Sequence, residues 1–357
     1  MYSHGANIES WKRQFGLSGK NILDFSASIN PLGPPKRTRK LLRDNFHLFL
    51  RYPQDYSQSS GAKIAEYAGI SKDNLLVTNG SIEAIYLTAR LMARETSLII
   101  VPTFSEYERA IKSSGGRSLY FQTRDSNNFK IDFNKLTSSL SGMSALFICN
   151  PDNPTGRVLS REDLLFLAKK CGQNGIILVV DEAFIDFLPE PDKVSLVRSC
   201  LKCNNVIILG SLTKFFALPG LRIGHITAHK KLINRIAKFR FPWAVNSFAQ
   251  VAAVSAIFDY SYIHRTRAFI KKENDFLFGK LSKILAISPY YPSVNFILCR
   301  INSKRINSKV LFKKLARQGI FIRDCSNFRG LDNQYFRVAV KLRKDNLKLI
   351  SALKEIL

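Results

Sequence analysis

From about residue 60 to residue 250 the chain keeps a strict rhythm, in which short apolar runs alternate with helix-length amphipathic segments. Strand candidates fall at 74–78, 97–101, 117–121, 145–149, 176–180, 205–209 and 222–227. They are rich in Ile, Val and Leu without clean alternation, as strands covered on both faces are. Helical patterns lie between them at 81–94, 106–114, 161–174 and 196–203. The composition, 46% hydrophobic and 23% charged, rules out a collagen, a disordered tail protein and a coiled-coil rod. The pattern predicts an α/β fold with a mostly parallel seven-stranded sheet.

After about residue 245 the rhythm changes. Helices are expected over 247–258, 263–284, 309–318 and 344–356, with strand-like pieces at 296–299, 320–323 and 335–339, which reads as a smaller α+β domain. The turn-rich stretch Ser28-Ile29-Asn30-Pro31-Leu32-Gly33-Pro34-Pro35 marks the first 45 residues as an irregular arm. The expected organisation is thus an arm over 1–45 packing with the small domain, a large domain over 46–245 and a small domain over 246–357. A chain of 357 residues suits two domains of about 150 residues each.

Charge is the unusual term: 54 Lys and Arg against 27 Asp and Glu give a formal +27. Such an excess invites a nucleic-acid or anionic-surface reading. The runs at 36–40 and 341–344, however, read first as solvated faces. No apolar run approaches the ~18 residues of a membrane span. The opening residues lack a basic then apolar leader, and the expected compartment is the cytoplasm. Six cysteines are too sparse for a disulfide framework, and Cys200 and Cys203 form a lone C-x-x-C. His225 and His229 are four apart but lack the glutamate of a helical zinc motif, so no metal site is expected.

Four motifs in order carry the chemistry: Asn150-Pro151-Asp152-Asn153-Pro154-Thr155-Gly156, Asp181-Glu182-Ala183-Phe184, Ser211-Leu212-Thr213-Lys214 and Leu218-Pro219-Gly220-Leu221-Arg222-Ile223-Gly224. Three of them sit at C-terminal strand ends, where open α/β sheets place ligands. Together they suit pyridoxal 5'-phosphate. Lys214 offers an amine for a Schiff base if burial or nearby cations lower its pKa. A carboxylate at Asp181 keeps the pyridine nitrogen protonated, which makes the ring an electron sink. Asn153 can donate to the phenolate oxygen, and Ser211, Thr213 and Arg222 can hold the phosphate. Gly80 and Ser81 open a predicted helix whose free N–H groups suit the same phosphate.

These motifs resemble the fold-type-I, aspartate-aminotransferase-like family of pyridoxal-phosphate enzymes over roughly residues 75–225. The flanks His4-Gly5-Ala6-Asn7 and Asp24-Phe25-Ser26-Ala27-Ser28-Ile29-Asn30-Pro31-Leu32-Gly33 are similar to the threonine-phosphate decarboxylases of cobalamin biosynthesis, relatives of the histidinol-phosphate aminotransferases. The resemblance implies Lys214 as Schiff-base lysine, Asp181 as pyridinium partner and Phe104 stacked on the ring. It implies that Tyr52 reaches the cofactor phosphate of a neighbouring subunit, hence a homodimer with shared active sites. Arg323 and Arg337, with His4, Asn30 and Asn153, would bind the substrate. One departure stands out: Phe184 occupies a position where the aminotransferase relatives usually carry tyrosine.

The implied reaction is decarboxylation of L-threonine O-3-phosphate to (R)-1-amino-2-propanol O-2-phosphate. L-serine O-phosphate is a second substrate candidate, since one methyl is worth only ~1–3 kcal/mol of discrimination. A histidinol-phosphate-type aminotransferase is the nearest rival reaction. A non-catalytic, nucleic-acid-binding regulator of this fold is the rival from another class, and residues 1–45 hold no recognisable helix-turn-helix for it.

Overall fold

The computed structural model describes residues 5–17, 21–53, 57–303 and 305–357. The N-terminal region contributes α1 (Ile8–Phe15), β1 (Leu23–Asp24), α2 (Lys36–Asp44) and α3 (Gln58–Ala68). The alternating region follows as β2 (Leu75–Thr78), α4 (Gly80–Leu91), β3 (Thr96–Val101), α5 (Glu106–Ser113), β4 (Arg117–Gln122), α6 (Phe133–Ser138) and β5 (Ala145–Cys149). It continues with α7 (Arg161–Gln173), β6 (Ile177–Asp181), β7 (Val206–Ser211), β8 (Gly224–Ala228) and α8 (Lys230–Ala237). Two helices, α9 (Ser247–Ile257) and α10 (Tyr260–Leu281), lead to β9 (Ile287–Pro289), β10 (Phe296–Ile301), α11 (Ser308–Arg317), β11 (Ile320–Phe321), β12 (Arg323–Asp324), β13 (Tyr335–Ala339) and α12 (Arg343–Ile356).

Strands β2 to β8 form one seven-stranded sheet in the order β2-β8-β7-β6-β5-β3-β4. Within it only β8 runs against its neighbours, β2 and β7. The sheet explains the continuous apolar runs. Ile99, Val101, Phe147, Val179 and Ile207 are buried beneath α4, α5 and α8 on one face. Leu98, Ile100, Leu146, Leu178, Val180 and Ile208 are buried on the other face with Leu164 and Leu167 of α7. Alternate residues of each strand therefore serve opposite faces, at roughly 1.5–3 kcal/mol per buried aliphatic side chain. Helix starts are set locally: at α7 the Ser160 hydroxyl and the Asp163 carboxylate accept each other's backbone N–H.

A second sheet, β12-β13-β10-β9, is antiparallel and covered by α10, α11 and α12. Among the described residues, no helix is long and apolar enough to cross a membrane.

Three expectations change. The N-terminal stretch is not irregular throughout: α1 and α2 form, β1 pairs with β11, Trp11 packs against Phe312 and Phe321, and α2 lies on α9. The predicted helix 196–203 is only a short 3-10 turn at Ser199–Lys202. Leu196 and Cys200 are instead anchored beneath the sheet, with the Leu196 N–H donated to Glu182. The predicted strand 320–323 is split, because β11 pairs with β1 while Arg323 crosses to pair with Arg337 on β13.

Candidate active site

The C-terminal ends of β5, β6 and β7 point at one cavity of about 460 Å³, closed on its far side by residues 26–29 and by the β12–β13 connection. Each motif is held rigidly there. After β5, the Asn150 side chain accepts from the Leu159 N–H at 2.7 Å. Asp152 accepts from the hydroxyls of Thr155 and Thr103 at 2.6 and 2.9 Å, and its burial pushes its carboxyl up to about 6. The loop so braced presents Asn153 to the cavity, where its carbonyl oxygen accepts from an Arg337 Nη.

Asp181 ends β6 and is 4% exposed. Tyr107 donates to its Oδ2 at 2.7 Å and the Ala183 N–H to its Oδ1 at 2.9 Å. Burial raises the carboxyl above its ordinary range against the pull of Lys214 and these two donors. Lys214 projects from the turn after β7 between the buried Phe215 and Leu212. Its Nζ lies 3.4 Å from Ser211 Oγ and 5.3 Å from the centre of the Phe184 ring. Burial lowers its pKa, Asp181 opposes that, and Arg222 and Arg337 add to it. A lysine so placed is closer to the neutral, nucleophilic amine than one in water.

Ser81 and Arg222 complete the base of the cavity, with Gly80 directly behind Arg222. Gly80 adopts φ +71°, and a Cβ there would meet Arg222 Nη2 at 2.5 Å. Only glycine lets the guanidinium lie against the start of α4. Arg222 and the first N–H groups of α4 thus form one anion-binding corner, lined by Ser81 and Ile82. The hydroxyls of Ser211 and Thr213 are bonded to each other at 2.8 Å beside it.

Arg323 and Arg337 line the opposite wall. Arg337 Nη2 donates to the Ser26 carbonyl at 3.1 Å, and its Nε is buried without a partner. Desolvation lowers its pKa to about 10. Arg323 is pulled down by burial as well. Two desolvated guanidiniums are costly unless an anion meets them.

Most expected residues converge: Ser81, Phe104, Asn153, Asp181, Lys214, Arg222, Arg323 and Arg337 share the cavity. Three do not. Asn30 is corrected: its amide is spent on the Phe215 carbonyl, Tyr262 and Thr266 at 2.8–3.1 Å, while its N–H donates to the Lys214 carbonyl. It holds the lysine turn from behind and does not line the cavity. Tyr52 is 80% exposed and stacked 5.0 Å from Trp243, outside its own chain's cavity. His4 lies outside the described residues, although its neighbours Gly5 and Ala6 line the cavity. The sequence reading missed Tyr107, whose only signal is its place one turn after Phe104 on α5. It also missed Asn327 and Phe328, which carry no motif. Among the described residues no metal-binding group occurs, and Cys200 and Cys203 are free thiols.

The residues fit pyridoxal phosphate. A buried amine, a buried carboxylate about which two donors are fixed, and a glycine-made anion corner with a cation surround a space of suitable size.

The aminotransferase class I and II family model matches residues 20–353. A protein provisionally named a threonine-phosphate decarboxylase, from Caldanaerobacter subterraneus subsp. tengcongensis, is 36% identical over 353 residues, covering 99% of this chain and 93% of the relative. The threonine-phosphate decarboxylase of Salmonella typhimurium is 32% identical over 357 residues, covering 99% and 96%. Among solved structures, the histidinol-phosphate aminotransferase of Clostridium acetobutylicum superposes with a TM-score of 0.87 at 33% identity, covering 94% of this chain and 99% of that one. The family match spans the seven- and four-stranded sheets and the strand-end motifs of the cavity, and the chain belongs to the aminotransferase class I and II family.

Proposed function

We propose that the protein is a pyridoxal-phosphate-dependent decarboxylase of L-threonine O-3-phosphate. The observation that carries this is the pair of buried arginines, Arg323 and Arg337, facing Lys214 across one small cavity. A substrate with an amine between a carboxylate and a phosphate matches that spacing of charge. The full-length similarity to threonine-phosphate decarboxylases supports the same reading.

Lys214 would hold the cofactor through its amine, Asp181 its ring nitrogen, Asn153 its phenolate oxygen, and Gly80, Ser81, Ser211, Thr213 and Arg222 its phosphate, with Phe104 against the ring. Bound there, the cofactor supplies a protonated ring that accepts the electron pair left on Cα when CO2 departs. The chain's own residues decide which bond breaks. Arg323 and Arg337 would fix the two anionic groups so that the Cα–carboxylate bond, and not Cα–H, is set perpendicular to the ring. Lys214 Nζ would hold and return the proton that takes the place of the departing carboxylate on Cα. Phe184 gives the ring-facing wall no hydroxyl, a difference from the tyrosine usual in aminotransferase relatives, and leaves Asn153 as the donor to the phenolate. If the Cα–H bond stood perpendicular instead, the same groups would transaminate.

A substrate panel decides. Threonine phosphate is expected to be consumed without any 2-oxo acid, serine phosphate about 10–100-fold less efficiently for want of one methyl, and histidinol phosphate not at all. Turnover of histidinol phosphate only with 2-oxoglutarate would replace this reading with the aminotransferase.

The protein is further proposed to be a homodimer in which Tyr52 completes the neighbour's phosphate site. Phe46, Phe49, Leu50, Tyr52, Phe241 and Trp243 form an exposed apolar band, of a kind that marks interfaces. Light scattering is expected to give twice 40.5 kDa. Leu50→Asp is expected to yield monomers with at least about tenfold weaker cofactor binding, because each site would lose its borrowed tyrosine. A fully active monomer would contradict the shared site.

A further inference from the structure

The connection from β12 to β13 forms one wall of the cavity, and its two ends are held differently. At its base Asp324 accepts from the Ser326 N–H and hydroxyl at 2.9 and 3.0 Å and from the Ser308 hydroxyl at 2.6 Å. Phe328 packs with Leu298, Cys325 and Tyr335. The tip carries the functional contacts: Asn327 Oδ1 accepts from Arg323 Nη2 at 2.8 Å, and the Arg323 guanidinium lies 4.9 Å from the Phe328 ring centre. Both Asn327 and Phe328 line the cavity.

On its outer side the tip is tied to the seven-stranded sheet by Arg329 alone among the ion pairs of the described residues. Its Nη2 lies 3.2 Å from both oxygens of Glu108 on α5, its Nε 3.4 Å from one of them, and its guanidinium 3.9 Å from the centre of the Tyr120 ring on β4. Gly330, at φ +89°, lets the chain turn directly after Arg329, while Phe328 lines the cavity. An exposed ion pair alone contributes little. Here Glu108 is nearly buried and is also held by Lys112 at 2.5 Å, so the carboxylate is fixed before Arg329 reaches it. A forked arginine contact on a fixed carboxylate, stacked on an aromatic face, is the stronger kind.

We infer that Arg329 is a positioning residue for substrate selection: clamped on Glu108 and Tyr120, it fixes the Asn327–Phe328 wall and thereby aims the Arg323 guanidinium at the substrate's anionic group. The inference rests on the reading of Arg323 under the proposed function. It adds that the strength of anion recognition is set from outside the cavity, by a contact bridging the two sheets. Arg323 itself has no carboxylate partner among the described ion pairs, so its direction depends on Asn327 and the Phe328 face.

The test uses the holoenzyme and steady-state kinetics with threonine phosphate. R329A and E108Q are each expected to raise KM about tenfold while kcat stays within about twofold and the melting temperature within a few degrees. R323Q is expected to raise KM by about a hundredfold or more, and R323Q/R329A to be no worse than R323Q, since the clamp acts through Arg323. Normal KM in R329A and E108Q beside an impaired R323Q would overturn the clamp and spare the substrate-binding reading. Additive losses in the double variant would do the same, assigning Arg329 to general stability. An unimpaired R323Q would overturn both.

Discussion

Lys214→Ala is expected to lose turnover of threonine phosphate by at least about 10⁴-fold and to abolish the near-visible absorbance of the loaded protein. On the proposed function Lys214 has two tasks, holding the cofactor and returning a proton to Cα. Its surroundings suit both. Burial and the neighbouring Arg222 and Arg337 push its amine toward the neutral form, while Asp181 pulls the other way. Among the described residues no second amine lines the cavity to take over. The variant should fold normally, because the turn that carries Lys214 is fixed by backbone bonds, Asn30 N–H to the Lys214 carbonyl at 3.0 Å and Leu218 N–H to the Thr213 carbonyl at 2.9 Å. Absorbance spectra with added cofactor, read beside a thermal melt, separate loss of the amine from loss of the fold. Retention of the absorbance in the folded variant would mean that another group carries the cofactor.

Asp181→Asn is expected to cost about 10³-fold in kcat, with a smaller effect on KM. Asparagine keeps the size of the side chain and removes the charge proposed to hold a proton on the ring nitrogen. It also frustrates the local bonding. The Tyr107 hydroxyl and the Ala183 N–H both donate to the carboxylate, and an amide offers only one oxygen, so one donor is left facing an NH2 at about 1–3 kcal/mol. The expected split, a large loss in kcat with substrate binding largely kept, distinguishes a group acting on the ring from one acting on the substrate. The ¹⁵N shift of ring-labelled cofactor should move from the protonated to the unprotonated range. A protonated nitrogen in D181N would remove Asp181 from this role.

Much of this site was legible because its parts are tied to strand ends. Burial on both faces makes β3, β5, β6 and β7 visible as apolar runs, and a polar residue that closes such a run, such as Asp181, must be there for a reason. The Gly80–Arg222 contact was half legible: the glycine and the arginine each stood in a motif, but their touching depends on β2 and β8 being neighbours in the sheet. Asn30 misled because a turn-rich segment gives no sign of which way an amide faces; here three acceptors on other elements take it. Asn327, Phe328 and Arg329 were invisible, since their meaning comes from a loop crossing between two sheets and not from spacing. The segment 196–203 was misread because apolar residues at helical spacing can equally be pinned one at a time beneath a sheet.

The +27 charge takes on a narrower meaning. Arg222, Arg323 and Arg337 bring three cations into one cavity beside Lys214, and among its described lining residues only Asp181 carries opposite charge. The proposed ligands, a cofactor phosphate and a doubly anionic substrate, supply the balance, and a basic surface speeds the approach of such anions.

The central claim is that the bond broken is Cα to carboxylate. Incubating the holoenzyme with threonine phosphate labelled at the carboxyl carbon, without any 2-oxo acid, tests it most directly. The account predicts labelled CO2 and phosphorylated aminopropanol in a one-to-one ratio through many turnovers. Label retained in an oxo acid, formed in amounts limited to the cofactor present, would contradict it.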